Sequence, residues 1–214
     1  MPIVLIPAET IAYSLLLKEV MLYLPMALEF DVEYRLKQAA RDFCRRSLVW
    51  RQPNTELLTT VADQSSYDAE LPDGTELAAV LSAWNGSTEI DVELPGEVDD
   101  YEPGSSASTW KVGVELTMDA LRLTPAPSTA GIVLTGTIAL APNEDAVDLP
   151  AFVWKRWRTP VASGCIALVK AQTGKPWSDP GAVAYHRELF EAGILDASNK
   201  AGPVRRRPLR VRTY

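Results

Sequence analysis

Residues 31–62 read DVEYRLKQAARDFCRRSLVWRQPNTELLTTVA, and the hydrophobic period changes within this stretch. Up to Leu48 the apolar residues Val32, Leu36, Ala40, Phe43 and Leu48 share one helical face, with Asp31 as N-cap. Tyr34, Lys37, Gln38, Arg41 and Arg45 take the other face. Pro53 and Asn54 close the helix, and from Thr55 the spacing of apolar residues is that of strands. A helical block thus gives way to a β block at one proline.

Working outward, Ile11, Leu15 and Leu22 predict a short first helix that stops near Pro25. Between Thr55 and Pro142 the expected strands are Glu56–Ala62, Tyr67–Leu71, Leu77–Trp84, Thr88–Leu94, Trp110–Leu116, Leu121–Pro125 and Gly131–Ala139. Asn85-Gly86 is a two-residue hairpin signal. Pro72-Asp73-Gly74, Pro95-Gly96 and Pro103-Gly104-Ser105-Ser106 read as loops. Short strands with close turns argue for a sandwich or barrel. Helices return after Asp148, a candidate cap: Trp154, Trp157, Val161, Cys165 and Leu168 form an apolar stripe that Pro160 should kink. A last helix opens at Asp179-Pro180 and buries Val183, Phe190, Ile194 and Ala197, and Gly202-Pro203 ends it. The expected fold is α+β: a four-helix bundle split by a β-sandwich or barrel-like insertion, with an extended C-terminal tail. Its parts are residues 1–54, the first half of the bundle; 55–142, the insertion; 143–201, the second half; and 202–214, the basic tail. Phe43, Cys44, Trp154, Trp157 and Phe190 are the expected bundle core.

At 214 residues and 47% hydrophobic, the chain is long and apolar enough for a substantial core, which excludes wholesale disorder. Its net charge of −7 conceals a segregation. Residues 1–53 hold 7 basic and 6 acidic groups, residues 54–150 hold 2 and 18, and residues 151–214 hold 12 and 4. Such blocks address different partners. Ile11 to Leu28 is apolar, but Lys18 and Glu19 sit in its middle and Pro25 interrupts it, so a membrane span is not expected. Pro2 and Pro7, with no positive region, do not read as an export signal, and the two cysteines, Cys44 and Cys165, read as reduced cytosolic thiols.

Familiar catalytic and cofactor motifs fail on inspection, and no cofactor is expected. Gly174-Lys175-Pro176 lacks the upstream glycine and the Ser/Thr of a phosphate-binding loop. Ser163-Gly164-Cys165 lies within a helix, not at a strand-to-helix turn. One His and two Cys cannot furnish a zinc site at close spacing. His186 with Cys165 or Cys44 is the sole nucleophile–base pairing to weigh, against a core or subunit-contact histidine. Glu89, Asp91 and Glu93 share one sheet face, followed by Asp99, Asp100 and Glu102; their spacing is that of a solvated acidic face, not a calcium loop.

The last eleven residues hold Arg205, Arg206, Arg207, Arg210 and Arg212 and no acid. Leu209, Val211 and Tyr214 alternate with the last two arginines, which suits an extended segment docking on another protein; phosphate binding and a plain solvated tail are the alternatives. Phosphate binding would make the chain a nucleic-acid-binding module, with Lys155, Arg156 and Arg158 adding phosphate contacts.

Arg41-Asp42-Phe43-Cys44-Arg45-Arg46-Ser47-Leu48-Val49-Trp50 resembles the end of the second helix in head-to-tail adaptor proteins of tailed bacteriophages. Leu149-Pro150, Gly174-Lys175-Pro176-Trp177, Tyr185-His186-Arg187 and Phe190 are similar to their second helical half. The order of helices, β insertion, helices and Arg-rich tail looks like the tubular tail adaptors of short-tailed phages. The resemblance implies a structural virion protein with no reaction of its own, made in the host bacterial cytoplasm. It implies a ring, usually of twelve copies, that joins the portal protein to a tail, nozzle or tail-tube protein around the genomic DNA. The portal-binding residues would be Arg205, Arg206, Arg207, Leu209, Arg210, Val211, Arg212 and Tyr214.

Overall fold

The computed structural model describes residues 9–93, 110–115 and 119–202. In chain order the elements are β1 (Thr10–Ala12), α1 (Tyr13–Met21), α2 (Glu29–Ser47), β2 (Arg51–Thr59), β3 (Ser66–Asp68), β4 (Thr75–Asn85) and β5 (Thr88–Val92). There follow β6 (Lys111–Val114), β7 (Ala120–Thr124), β8 (Val133–Pro142), β9 (Asp148–Pro150), α3 (Ala151–Lys170) and α4 (Pro180–Ala201). They fall into two compact units. The helical unit holds residues up to Trp50, Pro72–Glu76 and Leu140–Gly202; the strand unit holds most of the sequence between.

The helical unit is not a four-helix bundle. Three long helices, α2, α3 and α4, make its core, and α1 has only 9 residues. The physical reason lies at the two ends of α1. Thr10, Ile11 and Ala12 are spent on a ribbon, pairing antiparallel with Pro150, Leu149 and Asp148. Beyond Met21 the chain breaks into turns around Pro25. What remains is too short to supply a fourth full seam. The ribbon runs directly into α1 on one side and into α3 on the other, so Asp148 lies in a strand and Pro150, not Asp148, occupies the N-cap of α3. Helix α2 likewise starts before Asp31, which sits in its first turn and faces Arg35 at 3.6 Å. Leu48 ends that helix in the left-handed conformation, half-buried, rather than on its apolar face.

Helices α3 and α4 fit through two reciprocal contacts. A Cβ on Gly193 would lie 2.1 Å from the Pro160 ring, and one on Gly164 would lie 2.7 Å from the Phe190 ring. Each glycine is therefore the hole for a bulky residue of the other helix. Pro160 also bends α3, whose backbone leaves helical geometry at Trp157. Phe43 of α2 closes the triangle, its ring centroid 6.0 Å from that of Trp157 and 6.2 Å from that of Phe190. Of the five residues read as bundle core, Phe43, Cys44, Trp154, Trp157 and Phe190, all are buried.

Glu76, at the start of β4, is only 7% exposed. Its carboxylate accepts from Arg41 Nε at 2.9 Å and Nη2 at 2.6 Å, and Arg45 Nε lies 2.6 Å away. Arg41 Nη1 also donates to Glu144 at 3.0 Å. Two turns of α2 thus hold the segments on either side of the strand unit.

The strand unit is one mixed sheet, ordered β2-β8-β4-β5-β6-β7-β3, rather than a sandwich of two sheets or a barrel. The parallel pair β5–β6, with Asp91 opposite Lys111 and Val92 opposite Val112, joins strands that would otherwise split into two antiparallel groups. Strand β2 begins at Arg51 and runs through Pro53; it is an edge strand with a register shift between Gln52 and Thr55, the setting that accommodates a residue without an N–H. The β4–β5 turn falls on Gly86 and Ser87, one residue later than the sequence implied, with Gly86 at φ +58°. At Gly136 of β8 the β4 backbone leaves no room for a side chain: an added Cβ would run into the Ser82 carbonyl oxygen.

Glu76→Ala should lower unfolding free energy by about 1–3 kcal/mol, because two guanidinium groups lose their buried acceptor. Gly193→Ala should cost about 1–3 kcal/mol through overpacking against Pro160. Urea unfolding followed by circular dichroism measures both, and a wild-type midpoint for either would remove that contact from the account.

Candidate functional site

The region with the most to offer a partner is the corner between α1 and α2. Leu24 and Ala27 turn inward there, while Leu22, Tyr23, Met26, Leu28 and Phe30 are exposed, Leu22 at 80% and Phe30 at 73%. The helical period carries the surface one turn further: with Val32 and Leu36 buried, Phe30 and Tyr34 lie four apart on the outward side of α2. The corner is apolar on both its faces, and one face has no core to enter.

Beside it, α1, α3 and α4 enclose an open cleft of about 520 Å³. Its floor is Val20, Trp154 and Ile166; Leu22, Tyr23 and Tyr185 stand along it. The polar end carries Arg158, whose Nη1 lies 3.3 Å from Glu19 Oε2, and His186, whose Nδ1 lies 3.4 Å from Ser163 Oγ. Burial, with the Lys170 charge, holds the His186 imidazole below its ordinary pKa. The Tyr185 ring stands edge-on to His186 at 5.2 Å.

Ser163 and His186 have the residue types of a nucleophile and base, but Ser163 is buried mid-helix in α3. Backbone N–H groups there are committed to carbonyls one turn earlier, so none is free to hold an oxyanion beside it. Histidine and thiols do not come together as a pair either: His186 meets Ser163, whereas Cys165 Sγ donates to the Val32 carbonyl at 3.5 Å. Both thiols are fully buried. Burial pushes Cys44 up to about 12 and Cys165 higher still, so both stay protonated at neutral pH.

The basic residues resolve similarly. A second cleft, of about 350 Å³, is lined by Arg41, Asp42, Arg45, Arg187 and Glu191. Arg41 and Arg45 are committed to Glu76, and Arg46 nearby to Glu191 and Asp42. On α3, Lys155 Nζ pairs with Glu9 at 2.8 Å, Arg158 with Glu19, and Arg156 lies 5.1 Å from the Trp157 ring centroid. Glu89, Asp91 and Glu93 are half-buried at and just beyond β5, and no metal-holding cluster of His, Cys, Asp and Glu occurs among the described residues. Asp99, Asp100 and Glu102 lie outside the described residues, as do the tail candidates Arg205, Arg206, Arg207, Leu209, Arg210, Val211, Arg212 and Tyr214. No described helix is long and apolar enough to cross a membrane.

Sequence reasoning placed Tyr34 on the outer face of α2 but missed the surface it belongs to. The available signal was density: Leu22 to Phe30 carries more large apolar residues than one buried face can take.

Compared with known proteins, the chain matches no family model and no curated sequence.

The thiols give a prediction with a defined sign. An unfolded chain releases thiol protons near pH 9, whereas the folded chain holds that of Cys44 to about pH 12. Unfolding therefore releases protons in that window, and stability falls as pH rises from about 9 to about 12. The Cys44→Ala, Cys165→Ala double variant should show a flatter fall than wild type in urea midpoints across pH 8 to 11. Parallel curves would mean that the thiols are not shielded.

Proposed function

We propose that the protein is a structural virion component: a head-to-tail adaptor ring that joins the portal to the tail and lines the path of the exiting genome. What carries the reading is the α1–α2 corner, where Leu22, Tyr23, Met26, Leu28 and Phe30 stand exposed within nine consecutive residues. An isolated monomer gains nothing by leaving such a surface in water, whereas a subunit of a ring uses it. The order of the segments and the resemblance of residues 41–50 and of the second helical half to phage adaptors give that assembly its identity.

Charge supports the same assignment. Residues 54–150 carry 2 basic against 18 acidic groups, a surface that repels phosphate and does not hold DNA as it slides past. The Arg-rich end, residues 204–214, has the opposite character and is assigned to the portal. The strand unit meets the next tail protein. The ring, about a dozen copies as in the adaptors it resembles, belongs in the neck of the virion and is made in the host cytoplasm. No reaction or cofactor is part of the proposal.

Mixing the purified protein with its portal should give, in negatively stained electron micrographs, an added ring of density under the portal. Deleting residues 204–214 should abolish that density while leaving the circular dichroism spectrum unchanged. Binding of the truncated chain at wild-type strength would overturn the assignment of the tail. Tight binding to duplex DNA that weakens steeply with salt, without portal binding, would instead make the protein a nucleic-acid-binding module.

A further inference from the structure

Residues 9–12 fix where the start of the sequence meets the helical unit. Thr10 faces Pro150 in the antiparallel ribbon, and the Glu9 carbonyl accepts from the Ala151 N–H at 2.7 Å, at the first residue of α3. The Glu9 carboxylate reaches one turn further, where Lys155 Nζ donates to it at 2.8 Å. Lys155 precedes Arg158 and Thr159 of the cleft by one helical turn, so it stands on the face of α3 that the cleft follows. Glu9 is thus fastened at the end of that face where α3 begins. Residues 1–8, MPIVLIPA, lie outside the described residues and carry no charged side chain.

From this we infer that the cleft between α1, α3 and α4 is the docking groove for residues 1–8 of the same chain. Reach favours this occupant. From Trp154 to Ile166 the cleft follows α3 for about 18 Å, at about 1.5 Å per residue, and eight extended residues cover up to about 26 Å. Composition favours it as well. Aliphatic side chains cover the Trp154 and Ile166 floor and the exposed rings of Tyr23 and Tyr185. An uncharged segment also leaves the Arg158–Glu19 pair at the polar end intact. Residues 204–214 would bring arginines against Arg158, and they depart from Gly202, at the far end of α4. Tethering at Glu9 holds residues 1–8 at an effective concentration of about a millimolar, which a second copy's segment does not match in dilute solution. Met26, Leu28 and Phe30 do not line the cleft, so the corner keeps them for a partner, and the inference stands apart from the ring proposed above.

Disulfide trapping in the full chain tests the contact, with Ile3→Cys and Tyr185→Cys introduced together. Tyr185 is 60% exposed, so its replacement does not enter the core, and the native thiols are buried and do not compete. Between Ile3 and Glu9 the extended chain covers about 20 Å, close to the roughly 18 Å along α3 from Ala151 to Ser163, which His186 faces. Mild oxidation should therefore close a disulfide within one chain, seen as a faster-migrating monomer on a non-reducing gel. The control pair is Ile3→Cys with Val147→Cys, the latter exposed at the opposite end of the ribbon. Closure should be at least about tenfold faster for the cleft pair than for the control. Adding Leu5→Asp to the cleft pair should slow closure to the control rate with an unchanged circular dichroism spectrum. Equal rates for the two pairs, no closure, closure indifferent to Leu5→Asp, or disulfide-linked dimers in place of monomers would each overturn the inference. Failure of the adaptor reading is separate: it appears as absent portal density with closure intact.

Discussion

The helical unit depends on one carboxylate. Glu76 stands at the start of β4, almost shielded from water, accepting from Arg41 and ion-paired with Arg45. A buried carboxylate is stable only when its oxygens are used, and here two guanidinium groups four residues apart on α2 use them. Glu144, beyond the end of β8, takes the remaining Nη1 of Arg41. Gly74 and Asn143 reinforce the arrangement, the Asn143 N–H donating to the Gly74 carbonyl at 3.0 Å. The last two turns of the polar face of α2 are therefore not simply solvated. They fasten the places where the chain departs for the strands and returns from them, so the segments on either side of the insertion belong to the helical unit's own structure.

That explains why periodicity captured the helices and lost their arrangement. The buried faces of α2, α3 and α4 were legible because each repeats every three or four residues, and Asp179 does cap α4, accepting from the Ala182 N–H at 3.1 Å. A three-residue ribbon has no period to read, so β1 and β9 were invisible, and with them the reason α1 is too short for a fourth bundle helix. In the sequence Pro160 reads as a kink. Its packing role, like that of Gly164, emerges only in the presence of α4, where Gly193 receives the proline and Gly164 receives Phe190. Which glycine answers which bulky residue is a property of two helices in contact, not of either sequence.

The same limit governs the sheet. Seven strands were visible as alternating runs, each overlapping an observed strand, and β2 alone began well before its expected start because Pro53 reads as a stop. At an edge, a proline at a bulge interrupts the ladder without ending the strand. Strand order was not legible. The parallel β5–β6 pair that makes one mixed sheet depends on a long-range pairing that no local pattern encodes. In the candidate site, the buried thiols were identifiable as apolar-face residues, whereas the cleft holding His186 required three helices to converge.

Burial divides the chemistry of this protein sharply. The thiols and Ser163 are enclosed, the thiols protonated, and the half-buried His186 imidazole is held below its ordinary pKa. Groups able to adhere are outside: Leu22, Phe30 and Tyr34 in water, and a cleft with an open polar end. The energy available here lies in covering apolar area, and at about 25 cal/mol per Å² a few such side chains suffice to set the strength of a contact with a partner. In the ring proposed above, such a contact would act cooperatively when repeated between neighbours, since closing the last interface costs no further freedom of a separate subunit.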